Sequence, residues 1–182
     1  MIREFSVHAK STNKKAPMVF AACASLAFAF ILMSMIIPSY RGVVSLLGMG
    51  LLVGAITVYT RYVSPEYYYD ITFDSEGTPL LVVRQIIGKR HTTLCRIGLS
   101  EIVKIEQESA GERHRHKTPG GFVKFNYAPT LMPETTYRIT TMSRYEKAEI
   151  IIEASEEFAS LLRSYSAEAR ELMSAREENE EY

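Results

Sequence analysis

The sequence predicts a membrane α-hairpin followed by an α+β, mainly-β domain with a single C-terminal helix. Two long uncharged runs lie close to the N-terminus, and period-two alternation of apolar and polar residues begins after Pro65. The final segment instead repeats its apolar residues at helical spacing. We therefore expect a basic cytoplasmic N-terminal segment (1–15), a two-helix transmembrane hairpin (16–63), a soluble domain (66–176) and an acidic tail (177–182).

The charges are balanced only over the whole chain, which has 21 basic and 21 acidic residues. Residues 1–60 contain five basic residues and one acidic residue, whereas residues 61–182 contain 16 basic and 20 acidic residues. A nucleic-acid partner, which would need a strongly basic face, is not expected. Only Cys23 and Cys95 are available as thiols, in no zinc-binding spacing, which suits a domain facing the reducing cytosol. We expect no metal and no cofactor.

Both uncharged runs are long enough to cross a bilayer, whose hydrocarbon core of about 30 Å requires roughly 20 helical residues. Pro17–Ile37 meets this length, and Val43–Val63 does so if Arg61 extends its side chain to the headgroups. Pro38 and Gly42 lie between the runs and let the chain reverse. A cleaved signal peptide is one alternative, but its apolar region would be shorter. A hairpin buried in a soluble core is the other, but neither run has a polar face.

The basic residues around the two runs predict their orientation. Four of them precede the first run, and one lies in the turn between the runs: Arg3, Lys10, Lys14 and Lys15, then Arg41. Because basic flanks favour the cytoplasmic side, we expect a multi-pass protein of the cell membrane with both termini in the cytoplasm.

Small residues recur at matched depth in the two predicted helices. Ala21, Ser25 and Ala29 are spaced four residues apart in the first helix, and Gly50 and Gly54 form a GxxxG motif in the second. Small residues let membrane helices approach closely. We expect these five residues to pack the hairpin together, with a seam for self-association as the alternative.

Seven strands and one helix are predicted beyond Pro65. The strands form a group of four and a group of three, separated by a loop over residues 109–120. Their predicted ranges are Tyr67–Phe73, Leu80–Ile87, His91–Ile97, Leu99–Glu108, Gly121–Tyr127, Thr135–Met142 and Tyr145–Ile152. The helix begins after Ser155, a favourable N-cap residue.

Seven antiparallel strands closed by one amphipathic helix resemble the pleckstrin-homology-like (PH-like) fold. Four passages carry the resemblance: Tyr67–Phe73, Leu80–Arg84, Gly88–Arg90 and Leu99–Ile105. They are similar to bacterial PH-like domains attached to a transmembrane hairpin, a family of small uncharacterised bacterial membrane proteins. The resemblance implies a seven-stranded antiparallel barrel or split sheet capped by a C-terminal helix. It implies no catalytic residues.

Inositol-lipid binding is not expected from that resemblance. PH domains that bind phosphoinositides carry basic residues in the loop between their first two strands. The corresponding loop here, Ser75–Pro79, contains Glu76 and neither lysine nor arginine.

Two short basic clusters are candidates for contact with an anion or a partner. The first lies in the loop before the fifth predicted strand, and the second at a hairpin tip. Their residues are Arg113, His114, Arg115, His116 and Lys117, and Lys89 and Arg90. Clustered cations can bind phosphate groups or anionic lipid headgroups. A solvated loop and an ordinary turn are the alternative interpretations.

We expect an interaction or scaffolding module held at the cytoplasmic face of the membrane, and no enzyme. The sequence contains no HExxH, GxSxG, P-loop or GxGxxG motif. Membrane lipid is an expected partner, together with other membrane proteins or a second copy of the chain. One alternative is a membrane-bound enzyme subunit that uses His91, His114, His116 or Cys95. Another is a component of a small oligomeric transporter.

Overall fold

The computed structural model describes residues 2–11, 15–115, 120–143 and 147–180. The chain divides into two compact units, a helical one and a β-rich one. Ser11–Pro65 forms the helical unit, and Met1–Lys10 belongs with Glu66–Tyr182 to the β-rich unit. Of the predicted N-terminal segment, residues 2–10 therefore group with the β-rich unit.

The helical unit contains the two predicted helices. Its elements are α1 (Lys15–Ile36), a 3₁₀ turn (Pro38–Tyr40), α2 (Arg41–Val58) and a π-helical turn (Tyr59–Val63). Both helices, the second taken with its flanking turns, are long and apolar enough to cross a membrane. Most of their large apolar side chains are exposed, with Met35 at 71% and Leu46 at 73% of full exposure.

The two helices pack through small residues other than the expected ones. Ala27, Gly48 and Ala55 are buried. A Cβ atom at Gly48 would lie 3.1 Å from Ile31 Cγ1 and 3.3 Å from the carbonyl oxygen of Ala27, so a larger residue there would require the first helix to shift by a few tenths of an ångström.

The prediction of hairpin packing through the GxxxG motif is therefore wrong. Ala21, Ser25 and Ala29 are all exposed, and a Cβ atom at Gly50 or Gly54 would meet nothing within 4 Å. Folding the chain about the turn matched their depth but not the rotation of each helix. The alternative, a seam between copies, stays a prediction.

The described residues of the β-rich unit form eight strands in two sheets, two α-helices and a 3₁₀ turn (Leu99–Glu101). The strands are β1 (Phe5–Ala9), β2 (Glu66–Phe73), β3 (Pro79–Ile87), β4 (Arg90–Gly98), β5 (Ile102–Ser109), β6 (Val123–Asn126), β7 (Thr135–Met142) and β8 (Lys147–Ile152). The helices are α3 (Ala110–Arg115) and α4 (Glu156–Glu180). Sheet A has the order β1-β2-β3-β4, and sheet B the order β5-β7-β8-β6.

Two features depart from the predicted seven antiparallel strands. Phe5–Ala9, expected as a charged segment, forms an additional strand paired with β2. In sheet B, β6 pairs with β8 in parallel, while β5 pairs directly with β7. Among the described strands the two sheets are open, and they do not close into a barrel.

One core lies between the sheets and α4. Tyr69, Ile139 and Phe158, from sheet A, sheet B and the helix, are each at most 1% exposed. The Tyr69 hydroxyl donates to the carbonyl oxygen of Tyr127 at 3.0 Å and accepts from the backbone nitrogen of Glu153 at 3.2 Å. This side chain therefore links the two sheets.

Side-chain caps define where the two helices of this unit begin. Ser155 Oγ accepts from the backbone nitrogen of Phe158 at 3.2 Å, which confirms the predicted N-cap of α4. At α3, the backbone nitrogen of Ser109 donates to Glu112 Oε2 at 2.9 Å. This is one half of a capping box, so a segment expected as loop begins as a helix. This hydrogen bond and a second one, from the Ser109 hydroxyl to the same carboxylate oxygen, lower the pKa of Glu112.

Candidate functional site

The candidate site is an open cavity of about 660 Å³ on sheet A. Alternation in β2 sends Tyr69 and Ile71 into the core and their neighbours Asp70 and Thr72 to the opposite face. The cavity lies on that opposite face and is lined by residues of β1 to β4 and the β2–β3 turn. Its size is within the range of small-molecule sites.

Asp70 forms the centre of the floor, and its side chain is 10% exposed. One carboxylate oxygen accepts from the Ser6 hydroxyl on β1, and the other accepts from Arg84 Nε on β3. Strand register explains the convergence, because Ser6 is paired with Asp70 and Arg84 lies two residues beyond its other partner, Val82. A buried carboxylate with both oxygens bonded holds the arginine in a fixed orientation.

Arg84 keeps part of its guanidinium open to the cavity. Its side chain is 41% exposed, and only Nε is hydrogen-bonded to Asp70. The guanidinium carbon lies 6.0 Å from the ring centre of Tyr68, which stacks on His8 at 4.5 Å. The hydrogen bond to Asp70 raises the pKa of Arg84 above its usual value, so this group stays cationic at any physiological pH.

Arg96 supplies a second cation to the same face. It is paired with Val82, so it is a diagonal neighbour of Arg84, a position about 7–8 Å away in a regular ladder. A register shift between Val83 and Arg84 places Thr93 opposite Arg84. Arg96 is exposed and forms no hydrogen bond or ion pair with the described residues.

The opposite end of the cavity is acidic. Glu4 precedes β1 and is exposed, and Asp74 follows β2. Asp74 Oδ1 accepts from the backbone nitrogens of Glu76 at 2.7 Å and Thr78 at 3.2 Å, which fixes the β2–β3 turn. The lining of the cavity therefore has two arginines at one end and two carboxylates at the other, with the Asp70 carboxylate between them.

Sheet B contains a second charged cluster, which is closed. Arg138 on β7 is 2% exposed and lies between Glu108 on β5 and Glu149 on β8. Arg138 Nη1 is 3.9 Å from Glu149 Oε1, and Arg138 Nη2 contacts Glu108 Oε1. Since all three side chains are at least nine-tenths buried, a soluble ligand cannot reach them.

Lys89 and Arg90, the predicted cluster at the hairpin tip, lie away from the cavity. Lys89 occupies the turn between β3 and β4 beside Gly88, whose φ of +59° fits a tight hairpin turn, and Arg90 begins β4. Both are exposed and do not line the cavity.

The loop cluster is only partly described. Arg113, His114 and Arg115 belong to α3 by backbone, but their side chains lie outside the described part of the structure. His116 and Lys117 are outside the described residues altogether.

Sequence reasoning missed Ser6, Asp70, Arg84 and Arg96 as site residues. The alternation of Asp70 with Tyr69 and Ile71 indicated that Asp70 lies on the sheet face away from the core. Arg84 stands within an otherwise apolar strand, where a charged residue indicates a possible functional role. Ser6 lies in the short alternating run Phe5–Ala9, which was a local signal for a strand, but its partner Asp70 lies beyond the whole hairpin.

Two further observations concern metal binding and similarity to known proteins. Among the described residues, no three histidine, cysteine or carboxylate side chains are grouped so as to hold a metal ion. Comparison of the chain with family models, curated proteins and solved structures gives no match.

Proposed function

We propose that this chain is a membrane-anchored interaction module. The hairpin α1–α2 crosses the cell membrane twice and holds the β-rich unit, a variant of the PH-like arrangement, at the cytoplasmic face. There the β-rich unit binds a ligand or a protein partner. The observation that carries the proposal is the pairing of β1 with β2.

This pairing constrains the path of the chain on either side of the hairpin. Ala9, the last residue of β1, is paired with Tyr67 near the start of β2. The segment between them therefore leaves and re-enters the β-rich unit at neighbouring positions. A folded sheet cannot be divided by a bilayer, so the segment must cross an even number of times. Two helices of spanning length meet this requirement.

A secreted protein with a cleaved signal does not fit this arrangement. Cleavage after the small residues Ala22–Ala24 would remove β1 and with it Ala9, which is 6% exposed in the core. A soluble core hairpin does not fit either, because residues such as Met35 and Leu46 would then face water.

The cytoplasmic orientation is supported by the basic residues at the N-terminal side of the hairpin. Arg3, Lys10 and Lys14 precede α1 and Lys15 is its first residue, whereas Arg41, the first residue of α2, is the one basic residue near the turn between the spans. The positive-inside bias places the richer flank, and therefore the β-rich unit attached to it, in the cytoplasm.

A binding role is supported by the open face of sheet A. The cavity has a size suited to a small ligand and contains hydrogen-bonding groups fixed by neighbouring strands. Two features are extra to a PH-like arrangement of seven antiparallel strands, namely β1 and the parallel pairing of β6. The first of them supplies one wall of the cavity.

Accessibility of engineered cysteines in intact cells tests the topology. In a chain with Cys23→Ala and Cys95→Ala, Ser39→Cys in the inter-helix turn should react with a membrane-impermeant maleimide. Glu76→Cys in the exposed β2–β3 turn is the matched control and should react only after lysis. Equal labelling of both sites in intact cells, or recovery of the chain in a carbonate-washed supernatant, would overturn the anchor.

Crosslinking in native membranes tests the binding role. Full-length protein treated with a short amine-reactive crosslinker should form a discrete adduct, either with another membrane protein or with a second copy. A chain that remains entirely monomeric and ligand-free after extraction in mild detergent would contradict the proposal.

A further inference from the structure

We propose that the cavity of sheet A binds a zwitterionic phosphate ester, with the phosphate on Arg84 and Arg96 and an amine at the acidic end. A phosphoethanolamine group has this chemistry, whether free or as a lipid headgroup. The lipid source rests on the membrane anchor proposed above. The geometry of the cavity does not depend on that anchor.

The phosphate end follows from the two arginines. Guanidinium groups present planar sets of donors that match phosphate oxygens. The Nε of Arg84 is held by Asp70, which leaves its terminal nitrogens, on a side chain 41% exposed, free of described hydrogen bonds. Arg96 is diagonal to Arg84 and has no described partner at all. The hydroxyl of Thr93, which also lines the cavity, is a further donor.

Asp70 is already committed and does not compete with a ligand anion. Both of its oxygens accept hydrogen bonds, one from Ser6 and one from Arg84. Its negative charge offsets the positive charge of Arg84, so Arg84, Arg96 and Asp70 together have a net charge near +1 at the cavity floor. A phosphodiester or a singly ionised phosphate matches this balance better than a diphosphate.

The amine end follows from the separation of charge along the sheet. Glu4 lies on the first strand's side and Arg96 on the fourth strand, three inter-strand steps or about 14 Å apart at the backbone. Side chains reaching inwards from both ends leave space for a short zwitterion. A second anionic group at this end would be repelled by Glu4 and Asp74, whereas an ammonium group would be attracted.

The apolar part of the wall fits a lipid source. Leu80 lines the cavity and is half-buried, and its pairing with Thr72 puts it on the same face as Asp70. Val82 lies between Leu80 and Arg84 on the same strand and face. An acyl or glycerol group attached to the phosphate would meet these side chains.

Titration calorimetry on the full-length protein in a non-ionic detergent tests the site. The probes are phosphoethanolamine, glycerol phosphate, inorganic phosphate and a short-chain phosphatidylethanolamine. We expect phosphoethanolamine to bind at least tenfold more tightly than glycerol phosphate or inorganic phosphate. Tighter binding of the short-chain lipid than of phosphoethanolamine would identify a headgroup, and the reverse would identify a soluble ligand.

Variants of the arginines and of Glu4 assign the two ends. Arg96→Gln and Arg84→Gln should each weaken phosphoethanolamine binding at least tenfold. Lys89→Gln, an exposed cation of the same sheet outside the cavity, should leave it unchanged. Glu4→Lys should reduce the preference for phosphoethanolamine over glycerol phosphate to below threefold.

Three results would overturn the proposal. They are equal affinity for phosphoethanolamine and inorganic phosphate, unchanged binding in Arg96→Gln, and equal losses in Arg96→Gln and Lys89→Gln. Since Arg96 has no described partner, its variant should fold normally, and a thermal melt checks this. The measurement is made in detergent, so a failure here leaves the cysteine-labelling result intact, and a failure of the labelling leaves this one intact.

Discussion

The two sheets contain similar charged clusters in very different surroundings. On sheet A, the Arg84 side chain is 41% exposed and that of its partner Asp70 10%. On sheet B, the Arg138 side chain is 2% exposed and the carboxylates of Glu108 and Glu149 are 9% and 3% exposed. Both clusters lie on the sheet face that points away from the common core.

This difference separates stability from binding. Two buried carboxylates around one guanidinium gain from mutual attraction, and breaking such a set leaves a charge that water cannot reach. An ion pair in an open cavity is solvated, contributes little to stability and keeps donors available for a ligand. The closed cluster should therefore control unfolding, and the open cluster should control recognition.

Arg138→Met is expected to have the largest effect on stability. It leaves the carboxylates of Glu108 and Glu149 buried without a cation. Removing one partner of a buried ion pair costs about 3–5 kcal/mol. Thermal unfolding of the full-length protein in detergent, followed by circular dichroism, should show a Tm lower by roughly 2–4 °C per kcal/mol.

A compensated variant tests the reason for that loss. Arg138→Met combined with Glu108→Leu and Glu149→Leu removes all three charges and should recover most of the lost Tm. If Arg138→Met alone melts like the unmodified protein, the cluster is not buried in solution and the contrast between the sheets fails.

Tyr69→Phe removes a buried neutral group and should have the next largest effect. Its hydroxyl satisfies the carbonyl oxygen of Tyr127 and the backbone nitrogen of Glu153. Leaving buried polar groups unpaired costs about 1–3 kcal/mol. The fall in Tm should lie between those of Arg138→Met and Arg84→Gln, and a fall no larger than that of Arg84→Gln would show that water replaces the hydroxyl.

Tyr137→Phe should cost less, and by an amount that depends on pH. The Tyr137 hydroxyl donates to Glu156 at the start of α4, where Arg163 also binds. Burial and this hydrogen bond raise the pKa of Tyr137 to about 12, and the hydrogen bonds from Tyr137 and Arg163 lower the pKa of Glu156. Near neutral pH the hydrogen bond contributes on the order of 1 kcal/mol.

The signs of these shifts fix the pH window. Because the pKa of Tyr137 is raised on folding, its stabilising contribution is complete below the unfolded pKa near 10. That contribution is lost as the pH rises towards 12. Because the pKa of Glu156 is lowered on folding, its stabilising contribution is complete above the usual value of 4.5. That contribution is lost as the pH falls below 4.5. The Tm difference between the unmodified protein and Tyr137→Phe should therefore be largest between about pH 5 and 10. A difference constant from pH 4 to 11 would contradict this account.

Local patterns in the sequence were sufficient for the long elements. Uniform apolarity predicted α1 and α2, alternation predicted β2 to β5, and Ser155 predicted the start of α4. The capping box Ser109-x-x-Glu112 lies in a segment predicted as a loop because Gly111, Pro119 and Gly120 interrupt it.

Elements defined by distant partners could not be predicted in this way. The strand β1 alternates apolar and polar residues, but it has only five of them, and its pairing partner β2 lies beyond the hairpin. The parallel pairing of β6 with β8 depends on the strand order. Although β6 comes directly before β7 in the chain, it lies at the edge of sheet B beside β8. The cavity could not be predicted for the same reason, because its residues come from strands far apart in the chain. Ser6 lies on β1 and Arg96 on β4.

The two cavity variants, Arg84→Gln and Arg96→Gln, should have the smallest effects on stability, and their comparison gives the sharpest test of the contrast between the sheets. Arg84 loses an ion pair that is partly open to water, which costs less than about 1 kcal/mol, and Asp70 keeps its hydrogen bond from Ser6. Arg96 has no described partner to lose, so its variant should lie within about 0.5 kcal/mol of the unmodified protein. Tm values measured at two salt concentrations check both, because salt should shrink the Arg84→Gln difference. A loss for Arg84→Gln as large as that for Arg138→Met would mean that the Asp70 cluster is closed, and that the face assigned to a ligand belongs to the core.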